Sequence, residues 1–147
     1  MPLFRKPIPI DKSLIEQKIG EIEQKTSAEL RVYIERKIAK NTSVLDRTLV
    51  LFDQLNMQET AQRNGVLVYL AFDDHLCGVL GDKGIHQYVG NDFWQKVNQQ
   101  MIAHFKQQQY TQGILEALGA IGAELAKYFP IQADDIDELP NEVIIHD

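Results

Sequence analysis

An unbroken apolar run at residues 66–72 constrains the fold of this chain more than any other feature. Asn64-Gly65 precedes the run and Asp73-Asp74 follows it. A strand with one face in water would alternate apolar and polar side chains, so a run that is apolar at every position indicates a strand covered on both faces. A second apolar segment begins directly after the two aspartates. We therefore predict a central strand over residues 65–72, a tight turn at Asp73-Asp74 and a returning strand over residues 75–81.

Two further patterns place the central strand in a mixed sheet. Leu30, Val32 and Ile34 alternate with polar residues, which predicts a strand over residues 28–36. A helical pattern over residues 44–55 separates this strand from the central one, and such a strand–helix–strand crossover makes the two strands parallel. The returning strand follows a two-residue turn and is therefore predicted to be antiparallel.

Helical spacing of apolar residues predicts three helices in addition to the one over residues 44–55, which is the second along the chain. The first begins at Asp11 or Ser13, since both residue types favour the N-cap position. The third helix begins at Asn91 and the fourth at Thr111. Residues 83–89 fit a short strand or an irregular loop. Together the elements predict an α/β fold, a three-layer α/β/α sandwich with a small mixed sheet and helices on both faces.

Length and charge divide the chain into a body and a tail. With 44% hydrophobic residues among 147, residues 1–130 can form one domain with one core. The net charge of −6 originates in an acidic C-terminal tail, residues 131–147, which has six acidic residues and no Lys or Arg. We expect residues 134–147 to be less ordered than the body and their deletion to change the melting temperature little. Val143-Ile144-Ile145 is the exception, with the composition of an edge strand.

Composition excludes several classes of function. The 15 acidic residues outside the tail balance the 15 basic residues of the chain, so no concentrated basic face is available for nucleic acid. No apolar run reaches the roughly 20 residues that cross a bilayer. The N-terminus lacks the apolar segment of a signal peptide, so we expect a cytoplasmic protein without a membrane span. Cys77 is the single cysteine, which rules out an intrachain disulfide and a cysteine-based zinc site, and we expect it in the core.

Acidic oxygen ligands are the remaining candidates for chemistry. Asp73 and Asp74 lie at the carboxyl ends of the parallel strands, where open α/β sheets usually bind ligands. The connection into the second helix brings Asn41, Thr42 and Ser43 to the same end. Because calcium takes about six to eight oxygen ligands, we predict a Ca²⁺ site with these five residues as ligands, and Mg²⁺ or another divalent ion as the alternative. An ordinary polar hairpin turn explains the two aspartates equally well.

A second acidic group lies at the opposite end of the predicted sheet. Glu29 and Asn64 mark the start of the two parallel strands, and Asp82 marks the end of the antiparallel one. Seven strand residues, roughly 23 Å of extended chain, separate this group from Asp73-Asp74. The two groups therefore cannot share one ion, and Glu29, Asn64 and Asp82 form a separate candidate cluster.

Four short motifs, in their order along the chain, resemble the TPM domain family. They are Ala28-Glu29-Leu30-Arg31-Val32, Asn64-Gly65-Val66-Leu67, Asp73-Asp74 and, after Phe105, Tyr110-Thr111-Gln112-Gly113-Ile114. The resemblance covers about residues 11–130. The family includes thylakoid proteins implicated in photosystem II repair, membrane-anchored bacterial proteins and an accessory subunit of an animal receptor.

The resemblance implies a mixed sheet between helices, an acidic cleft that holds calcium and, for some members, acid phosphatase activity. The paired aspartates of the family match Asp73 and Asp74, so a metal role is implied for both. The Gly-Tyr-Gly of many members is replaced by Gly81-Asp82-Lys83-Gly84, so ligands from that loop do not carry over. The signal peptide and anchor of exported members are not recognisable, so their compartment does not carry over either.

Two functions follow as hypotheses. The first is a calcium-binding or assembly module that presents its cleft or its tail to a protein partner. The alternative is a metal-dependent acid phosphatase that hydrolyses phosphomonoesters, with Asp73 and Asp74 holding the ion. No Arg or His partner for the transferring phosphate is evident from the sequence, so the binding module is favoured.

Overall fold

The structure is a computed structural model that describes residues 6–131 and 143–146. The helices and strands follow the chain in the order α1 (Lys12–Glu23), β1 (Leu30–Glu35), α2 (Val44–Gln54), β2 (Val66–Ala71), β3 (Leu76–Gly81), α3 (Lys83–Lys106), α4 (Tyr110–Tyr128) and β4 (Ile144–His146), and a 3₁₀ turn lies at Met57–Glu59. The prediction of lower order for residues 134–142 falls outside the described residues.

The described strands form one sheet in the order β3-β2-β1-β4. β1 and β2 are parallel, with Leu30 opposite Val66, and β2 and β3 are antiparallel, with Ala71 opposite Leu76. Both predicted orientations are confirmed. β4 pairs with β1 in parallel, with Ile144 opposite Tyr33, which confirms the edge strand predicted at residues 143–145.

Helices cover the sheet on both faces, which confirms the predicted three-layer sandwich. One face packs against α1, α3 and α4 through a core that includes Ile19, Ile114 and Leu118. The other face packs against α2 and the 3₁₀ turn through Leu51 and Met57. Because β2 lies between the two cores, all six of its residues are buried, as the unbroken apolar run predicts.

The structure corrects the assignment of residues 83–89. They are neither strand nor loop but the first two turns of α3, which Asp82 caps by accepting a hydrogen bond from the Lys83 amide at 2.8 Å. Gly90 then interrupts the helix with φ 76° and ψ 174°, so the predicted start at Asn91 is only the resumption after a kink. The short first part buries only Gly84 and Ile85, too few residues for a visible helical period.

Two other helix starts differ slightly from the predicted ones. Asp11, and not Ser13, caps α1, because its carboxylate accepts from the Leu14 amide at 3.1 Å. α4 begins at Tyr110, one residue before Thr111, whose hydroxyl instead accepts from the Asp11 amide at 3.0 Å. The beginnings of the two helices are therefore linked.

Candidate functional site

The link between β2 and β3 is a four-residue loop, residues 72–75, and not the predicted two-residue turn. The His75 amide donates to the Phe72 carbonyl at 3.3 Å. His75 has a positive φ of 56°, and this left-handed residue lets the chain reverse before it pairs again at Leu76. Asp73 and Asp74 are the two middle residues of the loop.

Backbone hydrogen bonds dock this loop on the chain that leaves β1. The Phe72 amide donates to the Glu35 carbonyl at 2.8 Å, and the Asp73 amide donates to the Arg36 carbonyl at 2.7 Å. The parallel ladder between β1 and β2 thus continues beyond the ends of both strands. The two aspartates therefore lie at the carboxyl ends of the parallel strands, beside the connection into α2, as the sequence predicts.

Each aspartate has a partner on the segment after β1. An oxygen of Asp73 lies 3.4 Å from an Arg36 guanidinium nitrogen. An oxygen of Asp74 accepts from the Ile38 amide at 2.7 Å. Asp73 is exposed and Asp74 is half-buried. The site therefore pairs two carboxylates with one neighbouring cation, Arg36, which the sequence analysis did not assign to it.

The three other predicted ligands take part in the entry to α2. Ser43 caps α2, because its hydroxyl accepts from the Asp46 amide at 3.0 Å. The Thr42 hydroxyl donates to the Lys40 carbonyl at 3.2 Å, and Asn41 is an exposed left-handed residue with φ 59°. Within residues 6–131 and 143–146, no hydrogen bond joins these three side chains to the aspartates. Their role as ligands stays a prediction.

The donor set at this loop fits a hard divalent cation held by few charged ligands. Carboxylate, amide and hydroxyl oxygens are the ligands that calcium and magnesium prefer. No group of three or more His, Cys, Asp or Glu side chains that could hold a metal occurs in the described part of the chain. Asp73 and Asp74 would therefore supply two ligands, and the others would come from neutral oxygens such as those of Asn41 and Thr42, from carbonyls or from water.

A buried polar cluster that the sequence analysis missed lies on the α2 face of the sheet. Arg47 donates to both carboxylate oxygens of Glu35, at 2.9 and 3.0 Å. The Tyr69 hydroxyl donates to one of the same oxygens. Glu35 is buried, and Tyr69 is completely buried in the central strand. A tyrosine within a buried apolar run was the available signal, because a buried phenol usually finds a hydrogen-bond partner.

The cluster changes the titration of its members. Burial alone would raise the pKa of Glu35, but the hydrogen bonds from Arg47 and Tyr69 outweigh burial and leave the pKa below its ordinary value. Burial, followed by the hydrogen bond to Glu35, raises the pKa of Tyr69. Glu35 is therefore a carboxylate and Tyr69 a neutral phenol at neutral pH. This arrangement suits a structural ion pair, because both oxygens of Glu35 are already used.

The second acidic group lies at the other end of the sheet, as predicted. Glu29 and Asn64 are almost completely buried. Asp82 is bound by Arg63 through two hydrogen bonds of 2.7 and 3.1 Å, in addition to its role as the cap of α3. The exposed loop at Asp73-Asp74 is therefore more accessible to an ion.

The structure also bears on the predicted core position of Cys77 and on membrane-spanning helices. Cys77 is buried, and burial raises the pKa of its thiol to about 11, which agrees with the predicted core role. No helix in the described ranges has the length and apolar character required to span a bilayer.

Comparisons with known proteins agree with the fold described above. The sequence profile described as the TPM domain matches residues 9–124. The NMR structure of protein BA42 from the psychrophilic bacterium Bizionia argentinensis is similar with a TM-score of 0.83 and 38% identity, over 92% of each chain. The N-terminal domain of a protein from P. gingivalis has a TM-score of 0.62 at 20% identity, over 80% of this chain and 74% of that chain, and shows the fold alone. No curated protein gives a significant match.

Proposed function

The chain belongs to the TPM domain family, and from this premise we propose that it is a divalent-cation-binding module whose ion is held by Asp73 and Asp74. Ca²⁺ is the expected ion, and Mg²⁺ or another divalent ion is the alternative. The module would present the loaded loop to a protein partner as an assembly or binding unit. One observation carries the proposal: both carboxylates lie in one loop that is hydrogen-bonded to the connection between β1 and α2.

The arrangement supports a weak, exchangeable site. Two adjacent carboxylates repel each other, and Arg36 offsets only part of this repulsion at 3.4 Å from Asp73. A bound cation would remove the remaining repulsion and draw neutral oxygens of residues 36–43 toward the loop. With few charged ligands on a surface loop, we expect a dissociation constant of about 10⁻⁵–10⁻³ M.

Calcium should stabilise the folded protein through these two side chains. At a hundredfold excess of free Ca²⁺ over Kd, linkage predicts a gain of about 2.7 kcal/mol in the free energy of unfolding. The double variant Asp73→Asn, Asp74→Asn should lose this gain. It should still fold without metal, because an asparagine oxygen can accept the Ile38 amide as Asp74 does. Urea unfolding with and without Ca²⁺ measures both quantities.

A matched control separates this site from general charge effects. The double variant Glu59→Gln, Asp92→Asn also removes two negative charges, at exposed positions away from the loop, and should keep the full calcium gain. Equal calcium stabilisation in the Asp73/Asp74 double variant and the wild type would contradict the proposal. Glu29, Asn64 and Asp82 would then be the next candidates for the site.

Arg36 supports phosphomonoester hydrolysis as a second candidate function. Its guanidinium lies beside Asp73 and also donates to the Lys6 carbonyl. Arginine is well suited to hold phosphate oxygens through paired donors, so a bound phosphate would take over one or both of these contacts. A divalent ion, when bound, would polarise a phosphoryl oxygen. If the protein hydrolyses p-nitrophenyl phosphate in Ca²⁺ or Mg²⁺, the variant Arg36→Ala should lose turnover and retain calcium binding. Turnover no greater than that of buffer would leave binding as the function.

A further inference from the structure

Within the described ranges, β3 is an edge strand of the sheet and no strand pairs with its outer side. It lies at one end of the strand order, whereas β4 covers the outer side of β1 at the other end. Proteins usually protect such edges with lysine, proline or a bulge, because unpaired backbone groups attract another strand. The sequence of β3, Leu-Cys-Gly-Val-Leu-Gly, contains neither charge nor proline, and all six of its residues pair with β2 without a bulge.

The pairing of β2 identifies which backbone groups of β3 face outward. The amides of Val66 and Phe72 donate to carbonyls at the two ends of β1, so the even-numbered residues of β2 direct their backbone groups to β1. The odd-numbered residues therefore direct theirs to β3, as the bond from the Asp82 amide to the Gly65 carbonyl at 2.9 Å shows.

Because the backbone groups of a strand alternate in direction, the residues of β3 divide into a set that pairs with β2 and a set that points outward. The residues opposite the odd-numbered positions of β2 are Leu76, Gly78 and Leu80, and their amides and carbonyls pair inward. The backbone groups of the intervening residues, Cys77, Val79 and Gly81, point away from the sheet. Among the described residues, no backbone hydrogen bond to these three outward-facing amides is seen.

Two helices turn this edge into a groove. A cavity of about 300 Å³ has β3 as its floor, Val44, Leu45 and Thr48 of α2 on one side, and Trp94, Gln95 and Asn98 of α3 on the other. The walls pack directly on the strand, because a Cβ added to Gly78 would lie 2.7 Å from a methyl of Val44, and one added to Gly81 would overlap the Trp94 ring. None of the described residues that line the cavity is charged.

The size and chemistry of the groove indicate a peptide and not a folded domain. Ten residues line it, whereas stable interfaces between proteins usually use about 20–30 residues on each side. Outward-pointing amides and carbonyls at every second residue require an extended backbone as their partner. The uncharged walls favour neutral side chains over charged ones, because an unpaired charge would lose its hydration there.

We infer that β3 binds an extended, uncharged peptide segment of a partner protein as a further strand of the sheet. Hydrogen bonds to Cys77, Val79 and Gly81 provide the attachment. Apolar side chains of the peptide contact Val44 and Leu45 on one face and Trp94 on the other, so β-branched residues are favoured at both sets of positions. This binding mode is independent of the metal proposed at Asp73-Asp74.

A defined peptide tests the inference on the full chain. The probe is the hexapeptide Thr-Val-Thr-Val-Thr-Val, capped at both ends and N-methylated at every second residue, so that only one of its edges can pair. At a tenfold excess over its Kd, amide hydrogen exchange at Cys77, Val79 and Gly81 should slow by about tenfold. Exchange at Leu76, Gly78 and Leu80 should stay unchanged, because these amides are already paired.

Two controls determine the outcome. The same peptide N-methylated at all six residues should give no protection, because methyl groups then project from both of its edges and keep its carbonyls away from the β3 amides. The variant Val79→Pro removes an outward amide at a position where an edge strand tolerates proline, and should lose the effect of the probe; if this variant fails to fold, the fully methylated peptide still tests the inference.

Two results would overturn the inference. One is the absence of any protection by the probe at about 1 mM, the weak limit of specific peptide binding. The other is protection of Cys77, Val79 and Gly81 in the protein alone that increases with protein concentration, because the edge would then pair with a second copy of this chain.

Discussion

At the residue scale, the ion pair between Glu35 and Arg47 explains how two charged side chains can be accommodated between α2 and the sheet. The Glu35 side chain retains 10% of its exposure and that of Arg47 retains 22%, and the two meet through a pair of hydrogen bonds. Removing one partner of a buried ion pair costs more than the pair contributes, because the other charge stays in an apolar environment. Tyr69 and Glu35 lie on neighbouring strands, so the pair also connects α2 to the centre of the sheet.

Replacing the arginine should destabilise the fold. Arg47→Met keeps the aliphatic part of the side chain but leaves the Glu35 carboxylate with only the Tyr69 hydroxyl, so we expect a loss of about 1–3 kcal/mol in the free energy of unfolding. Urea denaturation at neutral pH measures the loss. The control Lys12→Met breaks the exposed pair with Glu16 and should change stability by less than about 0.5 kcal/mol. Equal effects of the two variants would contradict the structural role of Arg47.

The lowered pKa of Glu35 predicts a specific dependence on pH. Because the pKa in the folded protein lies below the ordinary value of 4.5, the unfolded chain binds the proton more tightly. The stabilisation from this group is therefore fully present above the unfolded pKa and is lost as pH falls through the folded one. Between about pH 5 and 3, wild type should lose more stability than Glu35→Gln, which cannot titrate there. Parallel losses in the two proteins would show that other carboxylates dominate.

At the scale of elements, a single glycine shapes α3. Gly90 adopts φ 76° and ψ 174°, a region essentially restricted to glycine. No atom lies within 4 Å of the place where a Cβ would be added, so the requirement is conformational and not steric. The kink lets the first turns of α3 start at Asp82, beside the end of β3, while Val97 and Met101 of the remaining helix pack in the core.

Two alanine substitutions should therefore have opposite effects. Gly90→Ala should destabilise the protein by about 1–3 kcal/mol, because alanine must occupy a strained backbone conformation. Gly119→Ala, inside the regular helix α4, should stabilise by up to about 1 kcal/mol, since a Cβ there would meet only the end of the Lys18 side chain at 3.9 Å. Thermal and urea unfolding compare the two variants. Stabilisation by Gly90→Ala would mean that the helix is continuous in solution.

At the scale of the whole molecule, the C-terminal segment completes the sheet. Val143 is almost completely buried in the core, and its amide donates to Glu16 of α1 at 3.3 Å. β4 then pairs along the outer side of β1. The segment thereby connects α1 to the outer edge of β1, and its apolar residues are part of the folded domain.

Deletion of residues 143–147 should be costly, in contrast to the small effect that the acidic composition predicts for deletion of residues 134–147. The loss of Val143 burial alone is worth about 1.5–3 kcal/mol, and loss of the β4 pairing adds to it. Val143→Thr, which keeps the shape of the side chain and the strand, should account for only part of this loss. Unfolding curves of wild type, Val143→Thr and the deletion variant measure the two contributions. An unchanged midpoint after deletion would show that β4 contributes nothing.

Local patterns were sufficient for much of the architecture and for the place of the candidate site. The run at residues 66–72 predicts a strand buried on both faces because side-chain burial follows the strand period directly. The crossover through α2 makes β1 parallel to β2, and this orientation alone brings Asp73-Asp74 to the carboxyl ends of the strands. The site is predictable to this extent because its two acids are adjacent in sequence and follow a clearly bounded strand.

Tertiary structure alone decided the features that depend on partners far apart in the chain. Arg36 and Ile38 meet the two aspartates only after the β1–β2 ladder extends beyond both strands, and Glu35 meets Tyr69 across 34 positions of sequence. Residues 83–89 are helical because Asp82 caps them and Ile85 enters the core. Periodicity records which side of an element is buried, whereas register and packing determine which distant side chains and open edges face one another, and no local pattern encodes these.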